Sequence, residues 1–124
     1  MKPPVVLVVE DNEMNMELVT DVLNLAGIEI LKATNATEAL ELTATSTPDL
    51  ILMDIQLPGE MDGIEATRRL KANPATASIP VVAVTSLAMK GDREKTEQAG
   101  CVDYFVKPID IKTFAEDIKK HLNQ

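Results

Sequence analysis

The run Leu50-Ile51-Leu52-Met53-Asp54 places four apolar residues in a row directly before a carboxylate. An unbroken apolar run of this length indicates a strand that is buried on both faces, as at the centre of a parallel sheet. Pro58 and Gly59 then mark a loop beyond Asp54. In open α/β sheets, ligands bind outside the carboxyl ends of the strands. We therefore expect the chemistry of this protein to take place around Asp54.

The rest of the chain alternates between apolar strand patterns and helical patterns. Strands are predicted at residues 5–9, 28–33, 50–54, 81–84 and 101–106. A helix follows each strand, and Asn12, Asn35 and Asp62 stand where the first three helices need a capping side chain. This alternation is typical of an α/β domain with a parallel sheet and helices on both faces. We expect one domain over residues 1–124, with five strands and five helices.

The helical patterns differ in how clearly they mark a buried face. The stripe is clearest in the last helix, where it includes Phe114 and Ile118. The first helix is predicted to present one stripe made of Asn15, Leu18, Val19, Val22, Leu25 and Ala26. The segment 87–99 is mostly charged and carries Gly91 near its start, a residue that costs about 1 kcal/mol in a helix interior. We expect this helix to be the least firmly held.

Composition excludes several classes of function. The 124 residues include 20 acidic and 12 basic side chains, which gives a formal net charge of -8 at pH 7. The chain therefore lacks the basic surface on which binding to a nucleic-acid backbone depends. A single cysteine fits a reducing compartment, and the apolar run at residues 5–9 is too short to span a membrane. We expect a cytoplasmic protein with no nucleic-acid or membrane partner.

Four of the predicted strands end in polar side chains, namely Glu10 with Asp11, Asp54, Thr85 and Lys107. Neighbouring parallel strands lie about 4.8 Å apart, so these side chains can converge on one edge of the sheet. Three carboxylates held together repel one another and favour either a bound proton or a hard cation. Oxygen ligands without Cys or His suit Mg²⁺, which commonly bridges a carboxylate to a phosphate. A hydroxyl, an ammonium and a nucleophilic carboxylate beside that metal predict a site for phosphoryl transfer.

Five short motifs also lie along the chain: Glu10-Asp11-Asn12, Asp54-Ile55-Gln56-Leu57-Pro58, Asp62-Gly63, Thr85-Ser86 and Lys107-Pro108. In order and spacing they resemble the receiver domain of two-component response regulators, and the resemblance covers the whole chain. It is closest to single-domain regulators and to the receivers of hybrid histidine kinases, with which the chain shares the stretch at residues 88–92. The resemblance implies a flavodoxin-like, doubly wound parallel sheet with strand order 2-1-3-4-5.

The resemblance assigns a chemical role to the charged residues at the ends of the first, third and fifth strands. It implies that Asp54 accepts a phosphoryl group, and that Mg²⁺ is held by Asp11, Asp54 and the backbone carbonyl of Gln56, with Glu10 at the second acidic position of the metal site, directly or through water. Lys107 is expected to contact the phosphoryl oxygens. The family more often has Asp at the position of Glu10, and the loop at residues 58–63 is one residue longer than the common form.

The resemblance also implies a conformational switch. Thr85 and Tyr104 match the family's switch pair, in which the hydroxyl moves toward the phosphoryl group and the ring rotates inward. Ser86 is placed with the residues that bind the phosphoryl group and take part in the switch, and the Lys107-Pro108 peptide bond is expected to be cis. These movements are expected to bias the helix at residues 87–99, the one that composition marks as loosely held.

A receiver of this kind signals by binding other proteins rather than by turning over a substrate. The expected partners are a histidine kinase or a histidine phosphotransfer protein, and a downstream target that docks on the fourth helix, fifth strand and fifth helix. We do not expect an enzyme, although phosphorylation from a phosphodonor and slow loss of the phosphoryl group are expected. The start at Met1 and the end just past the fifth helix favour a complete single-domain protein.

Two other functions fit parts of the pattern. A phosphatase of the haloacid dehalogenase type also begins with a strand-end Asp, but it needs a general acid two residues later, where this chain has Gln56. A flavin-binding protein of flavodoxin type needs a hydroxyl- and glycine-rich phosphate loop after the first strand, where this chain has acidic residues. The receiver interpretation is therefore favoured over both.

Overall fold

The computed structural model describes residues 2–86 and 89–122. Its strands are β1 (Val5–Val9), β2 (Glu29–Ala33), β3 (Leu50–Asp54), β4 (Val81–Thr85) and β5 (Asp103–Val106), all parallel and ordered β2-β1-β3-β4-β5. Its helices are α1 (Glu13–Leu25), α2 (Ala36–Thr45), α3 (Gly63–Ala72), α4 (Asp92–Ala99) and α5 (Ile111–Leu122). None of the described helices has both the length and the apolar character that crossing a membrane requires. The strand order and the alternation confirm the predicted flavodoxin-like fold.

The central strand β3 sends alternate side chains into two separate cores. Leu50 and Leu52 belong to a cluster that includes buried residues of α1 and α5. Ile51 and Met53 belong to a second cluster, on the other face, with buried residues of α2 and α3. Every residue of β3 is buried. Because both faces of this strand are covered by helices, its sequence has no polar alternation.

Three helices begin with the side-chain caps that the sequence predicts. The Oδ1 atoms of Asn12, Asn35 and Asp62 accept the backbone N–H of the residue three positions later at 3.0, 2.8 and 2.9 Å. The Glu38 carboxylate does not return to Asn35, as a full capping box requires, but accepts the N–H and the hydroxyl of Thr34. Each cap satisfies a backbone donor that the first turn of the helix leaves without a partner.

Two helices differ from their predicted forms. In α1 the buried face is rotated relative to the predicted stripe: Met16 and Leu23 are buried, whereas Leu25 is 91% exposed and Leu18 37%, because packing against the sheet and α5 sets which residues are covered. Helix α4 begins at Asp92, and Gly91 precedes it as the N-cap residue with φ of 87°. The glycine therefore adopts a left-handed conformation outside the helix and does not weaken its interior. Leu87, where the predicted helix begins, lies outside the described residues.

Candidate functional site

The carboxylate of Asp54 lies at the carboxyl edge of the sheet. β3 pairs with β1 so that Met53 is opposite Val9. The next residues, Asp54 and Glu10, therefore lie side by side at the carboxyl ends of the two strands. The Asp54 side chain is 6% exposed, and its Oδ1 accepts the backbone N–H of Gln56 at 2.9 Å. This bond orients the buried carboxylate and leaves its second oxygen for other partners.

Three carboxylates meet at this edge. Glu10, Asp11 and Asp54 each offer an oxygen, and these oxygens all lie within 4.8 Å of one another. Glu10 and Asp54 are buried, whereas Asp11 is exposed to solvent. The donor set consists of oxygen atoms alone and has one solvent-facing member, which suits a hard cation that keeps part of its water shell. The residues present therefore fit Mg²⁺.

Lys107, just beyond β5, extends its ammonium group into the carboxylate cluster. Its Nζ donates to Glu10 Oε1 in a short ion pair and to Asp54 Oδ2 at 3.2 Å. The Lys107 side chain is only 12% exposed, so water screens these charges weakly. The second carboxylate oxygen of Glu10 accepts the N–H of Asn12 at 3.2 Å, so both oxygens of Glu10 have protein partners.

The pKa values of Glu10 and Lys107 are both raised, for different physical reasons. Burial raises the pKa of Glu10, and the nearby Asp54 adds to the rise, even though Lys107 opposes it. Burial by itself lowers the pKa of Lys107, but its bonds to Glu10 and Asp54 outweigh burial and the pKa is raised. Glu10 therefore holds its proton more tightly chiefly because it is buried, and Lys107 holds its proton more tightly because it faces two carboxylates.

Hydroxyl groups from the end of β4 are joined to the Asp54 loop by a glutamine side chain. Gln56 Oε1 accepts the hydroxyls of Thr85 and Ser86, each at 3.1 Å. Thr85 is fully buried, whereas Gln56 and Ser86 are exposed. The resemblance assigns Gln56 only a backbone role, so this side-chain bridge was missed. The sequence does contain a signal for this bridge. It places an amide side chain two residues after Asp54, and the strand predicted to pair with this one ends in two hydroxyl residues.

Tyr104 lies on β5, in a small apolar cluster with Ile55 and Ala83. The residue is 9% exposed, so its ring already occupies a buried position in this structure. The guanidinium carbon of Arg93 in α4 lies 5.4 Å from the ring centroid, a cation–π contact that sequence reasoning did not find. Burial raises the pKa of the Tyr104 hydroxyl, with Asp92 adding to the rise and Arg93 opposing it.

Two backbone features shape the loops beside the site. The Lys107-Pro108 peptide bond is cis, as the resemblance implies. At the start of α3, the N–H of Gly63 donates to Ile55 O at 3.2 Å, and a Cβ at Gly63 would lie 2.2 Å from the carbonyl oxygen of Asp54. Only glycine permits this approach, so the residue brings the first turn of α3 against the end of β3.

The predicted site residues thus fall into three groups. Glu10, Asp11, Asp54 and Lys107 form the charged cluster; Thr85 and Ser86 join it through Gln56; and Tyr104 lies beneath α4 in its own apolar cluster. Val106, the last residue of β5, leads directly to Lys107 and pairs with Thr85. The sheet register therefore places Lys107 beside the end of β4, whereas Tyr104 pairs with Ala83 further back in the strand.

Comparisons with known proteins agree with this geometry. The family model for the response regulator receiver domain matches residues 6–119. The chain is 49% identical over 120 residues to the polar-differentiation response regulator DivK of Brucella anthropi, covering 97% of both chains. It is also 49% identical over 117 residues to DivK of Brucella melitensis, covering 94% of both.

Solved structures give the same result at lower sequence identity. The receiver domain of a signal transduction histidine kinase from Syntrophus aciditrophicus matches with a TM-score of 0.89 and 31% identity, covering 97% of this chain and 90% of that one. The receiver domain of a sensor histidine kinase from Pseudomonas aeruginosa, which has magnesium coordinated in its active site cleft, matches with a TM-score of 0.89 and 30% identity, covering 98% and 99%. This chain therefore belongs to the response regulator receiver domain family.

Proposed function

We propose that this chain, as one receiver domain over residues 1–124, accepts a phosphoryl group on Asp54 and signals by binding other proteins. The observation that carries the proposal is the meeting of Asp54 with Glu10, Asp11 and Lys107 at the carboxyl edge of the sheet. Receiver domains are signalling modules that partner with histidine kinases. The phosphoryl donor is accordingly a histidine kinase or a histidine phosphotransfer protein, and the location is cytoplasmic.

The chemistry is a transfer between two protein side chains. A carboxylate oxygen of Asp54 attacks the phosphorus of a phosphohistidine, a P–O bond forms, and the P–N bond breaks with the electron pair returning to the imidazole nitrogen. Glu10, Asp11, Asp54 and the carbonyl of Gln56 would hold Mg²⁺, which would neutralise negative charge during the transfer. Lys107 must then exchange its bond to Asp54 for one to a phosphoryl oxygen, a short movement for an ammonium on a flexible stem.

The residues at the end of β4 transmit the effect of phosphorylation to the protein surface. The hydroxyls of Thr85 and Ser86 are bonded to Gln56, and a phosphoryl group on Asp54 offers them charged acceptors instead. Such a change favours a new arrangement of the β4 end, of Tyr104 and of α4. The downstream partner docks on the surface formed by α4, β5 and α5, where Val106 and Ile111 are 48% and 56% exposed.

The test is to weigh the intact protein by mass spectrometry after incubation with acetyl phosphate and Mg²⁺. We expect one added phosphoryl group on the native chain, and none on Asp54→Asn or in the presence of a metal chelator. Asp21→Asn, which removes an exposed carboxylate of α1 outside the cluster, serves as the matched control and is expected to be phosphorylated normally. A phosphoryl group retained by Asp54→Asn would disprove the assignment of the acceptor.

A further inference from the structure

The contact between Arg93 and Tyr104 links α4 to the residue that the resemblance places in the switch. The Arg93 guanidinium carbon lies 5.4 Å from the centroid of the ring, and Arg93 is itself exposed. Apolar neighbours, chiefly Ile55 and Ala83, form the rest of the cluster around the ring. The ring therefore has an apolar environment on the sheet side and a cation on the side of α4.

Helix α4 packs against α3 and β5 but buries few of its own side chains. It is eight residues long, and its buried residues are Thr96 and Ala99. Among the charged side chains of its first turn, Asp92 accepts the N–H of Met89 at 2.8 Å. Within the described part of the chain, no carboxylate lies within ion-pair distance of Arg93. The guanidinium is thus free of a competing anion and its described contact is the ring.

We propose that Arg93 is a positioning residue that holds the Tyr104 ring in its buried place and couples the position of α4 to that ring. An arginine plane over an aromatic face attracts the ring by charge and covers it from water. The ring and the helix should then move together when the site changes. This consequence for signalling rests on the proposed function, but the restraint on the ring does not.

Tyr104 offers a direct probe of the restraint, because the chain has one tyrosine and no tryptophan. The intrinsic fluorescence of the protein therefore comes from this ring. We would measure quenching by acrylamide for the native chain and for Arg93→Gln, without phosphodonor. Loss of an exposed cation–π contact shifts the balance between buried and open rings by about two- to fivefold, so we expect the quenching constant to rise by up to that factor.

Two further variants distinguish a specific restraint of the Tyr104 ring by Arg93 from a general effect of removing positive charge from α4. Lys95→Gln removes the same charge two residues later, on another side of α4, and is expected to leave quenching unchanged. Arg93→Lys keeps the charge without the planar stack and is expected to give an intermediate value. Urea midpoints and circular dichroism must show that all variants are folded. Equal quenching in Arg93→Gln and Lys95→Gln, or no change in either, would overturn the proposal.

The same variants separate this proposal from the proposed function. If Arg93→Gln frees the ring while the native chain takes no phosphoryl group, the restraint is correct and the proposed phosphorylation is wrong. If the chain is phosphorylated and Arg93→Gln quenches like the native protein, the restraint is wrong and the phosphorylation stands. Where both hold, Mg²⁺ and acetyl phosphate are expected to lower quenching more in Arg93→Gln than in the native chain, whose ring is already covered.

Discussion

Lys107 links two buried carboxylates, and the stability of the site depends on its charge. The side chains of Glu10 and Asp54 are 5% and 6% exposed, and the ammonium of Lys107 contacts both. Breaking a buried ion pair by removing one partner leaves an uncompensated charge in a medium that solvates it poorly. The lysine therefore contributes to the stability of the fold, whatever its part in phosphoryl transfer.

We predict that Lys107→Met lowers the free energy of unfolding by about 3 kcal/mol at pH 7. Because the folded pKa of Lys107 is raised, its stabilisation is complete below the unfolded pKa of about 10.4 and is lost as the pH rises through the higher folded pKa. Urea titrations of both proteins from neutral to alkaline pH should therefore show the difference shrinking. Lys112→Met, at an exposed position of α5, is the control and should change little.

The sequence predicts which side chains come together where the geometry of the sheet determines their positions. Glu10, Asp54 and Lys107 were predicted to meet because parallel strands end at one edge, and register brings them there. The Gln56 side-chain bridge and the Arg93 contact were not predicted. Both depend on the rotamer of a long exposed side chain, which neither periodicity nor motif spacing determines.

At the scale of elements, the junction between β3 and α3 controls where the Asp54 carboxylate lies. A Cβ on Gly63 would come within 2.2 Å of Asp54 O and 2.7 Å of Ile55 Cα, and both are backbone atoms that cannot move aside cheaply. At Gly27, by contrast, a Cβ meets nothing within 4 Å, and the φ of +84° is the only strain. The two glycines therefore offer a matched pair.

We predict that Gly63→Ala and Gly27→Ala both destabilise the fold, by about 1–3 kcal/mol for the first and about 1 kcal/mol for the second. Only Gly63→Ala should slow phosphorylation by acetyl phosphate, because it displaces the backbone that carries Asp54. The rates are measured by intact mass at a temperature where both variants are folded. Equal slowing in the two variants would indicate a general loss of stability instead.

Element boundaries show where the sequence pattern was sufficient and where it was not. The caps at Asn12, Asn35 and Asp62 were predicted because a side-chain acceptor three residues before a free N–H is a local interaction. The buried face of α1 was predicted with the wrong rotation about the helix axis, since Leu25 projects into solvent while Met16 and Leu23 are buried. Whether an apolar residue at the margin of a stripe is buried depends on the neighbouring elements, and the sequence of the helix alone does not determine their positions.

At the scale of the whole molecule, negative charge dominates. The chain carries a formal charge of -8 at pH 7, and the carboxylate cluster adds a local concentration of it at one edge of the sheet. A cation that binds only the folded site stabilises the entire domain, because small domains unfold as one cooperative unit. The thermal stability of the chain should therefore report on the site.

We predict that Mg²⁺ at tenfold above its dissociation constant raises the free energy of unfolding by about 1.4 kcal/mol, and that chelation reverses the gain. Asp11→Asn, which removes a carboxylate of the cluster, should lose most of this effect, whereas Glu17→Gln on the exposed face of α1 should keep it. Scanning calorimetry with and without Mg²⁺ provides the measurement. The same shift in Asp11→Asn and the native chain would place the bound cation elsewhere.

The close approach at Gly63 also bears on how this sequence can diverge. Any side chain at position 63 collides with the carbonyl of Asp54, so no other residue fits there while the end of β3 keeps its position. Gly27 faces open space, and Asn, which tolerates its left-handed backbone, is an accessible replacement. Homologous proteins that bind other partners and have different surface residues are expected to keep glycine at position 63 and to vary at position 27.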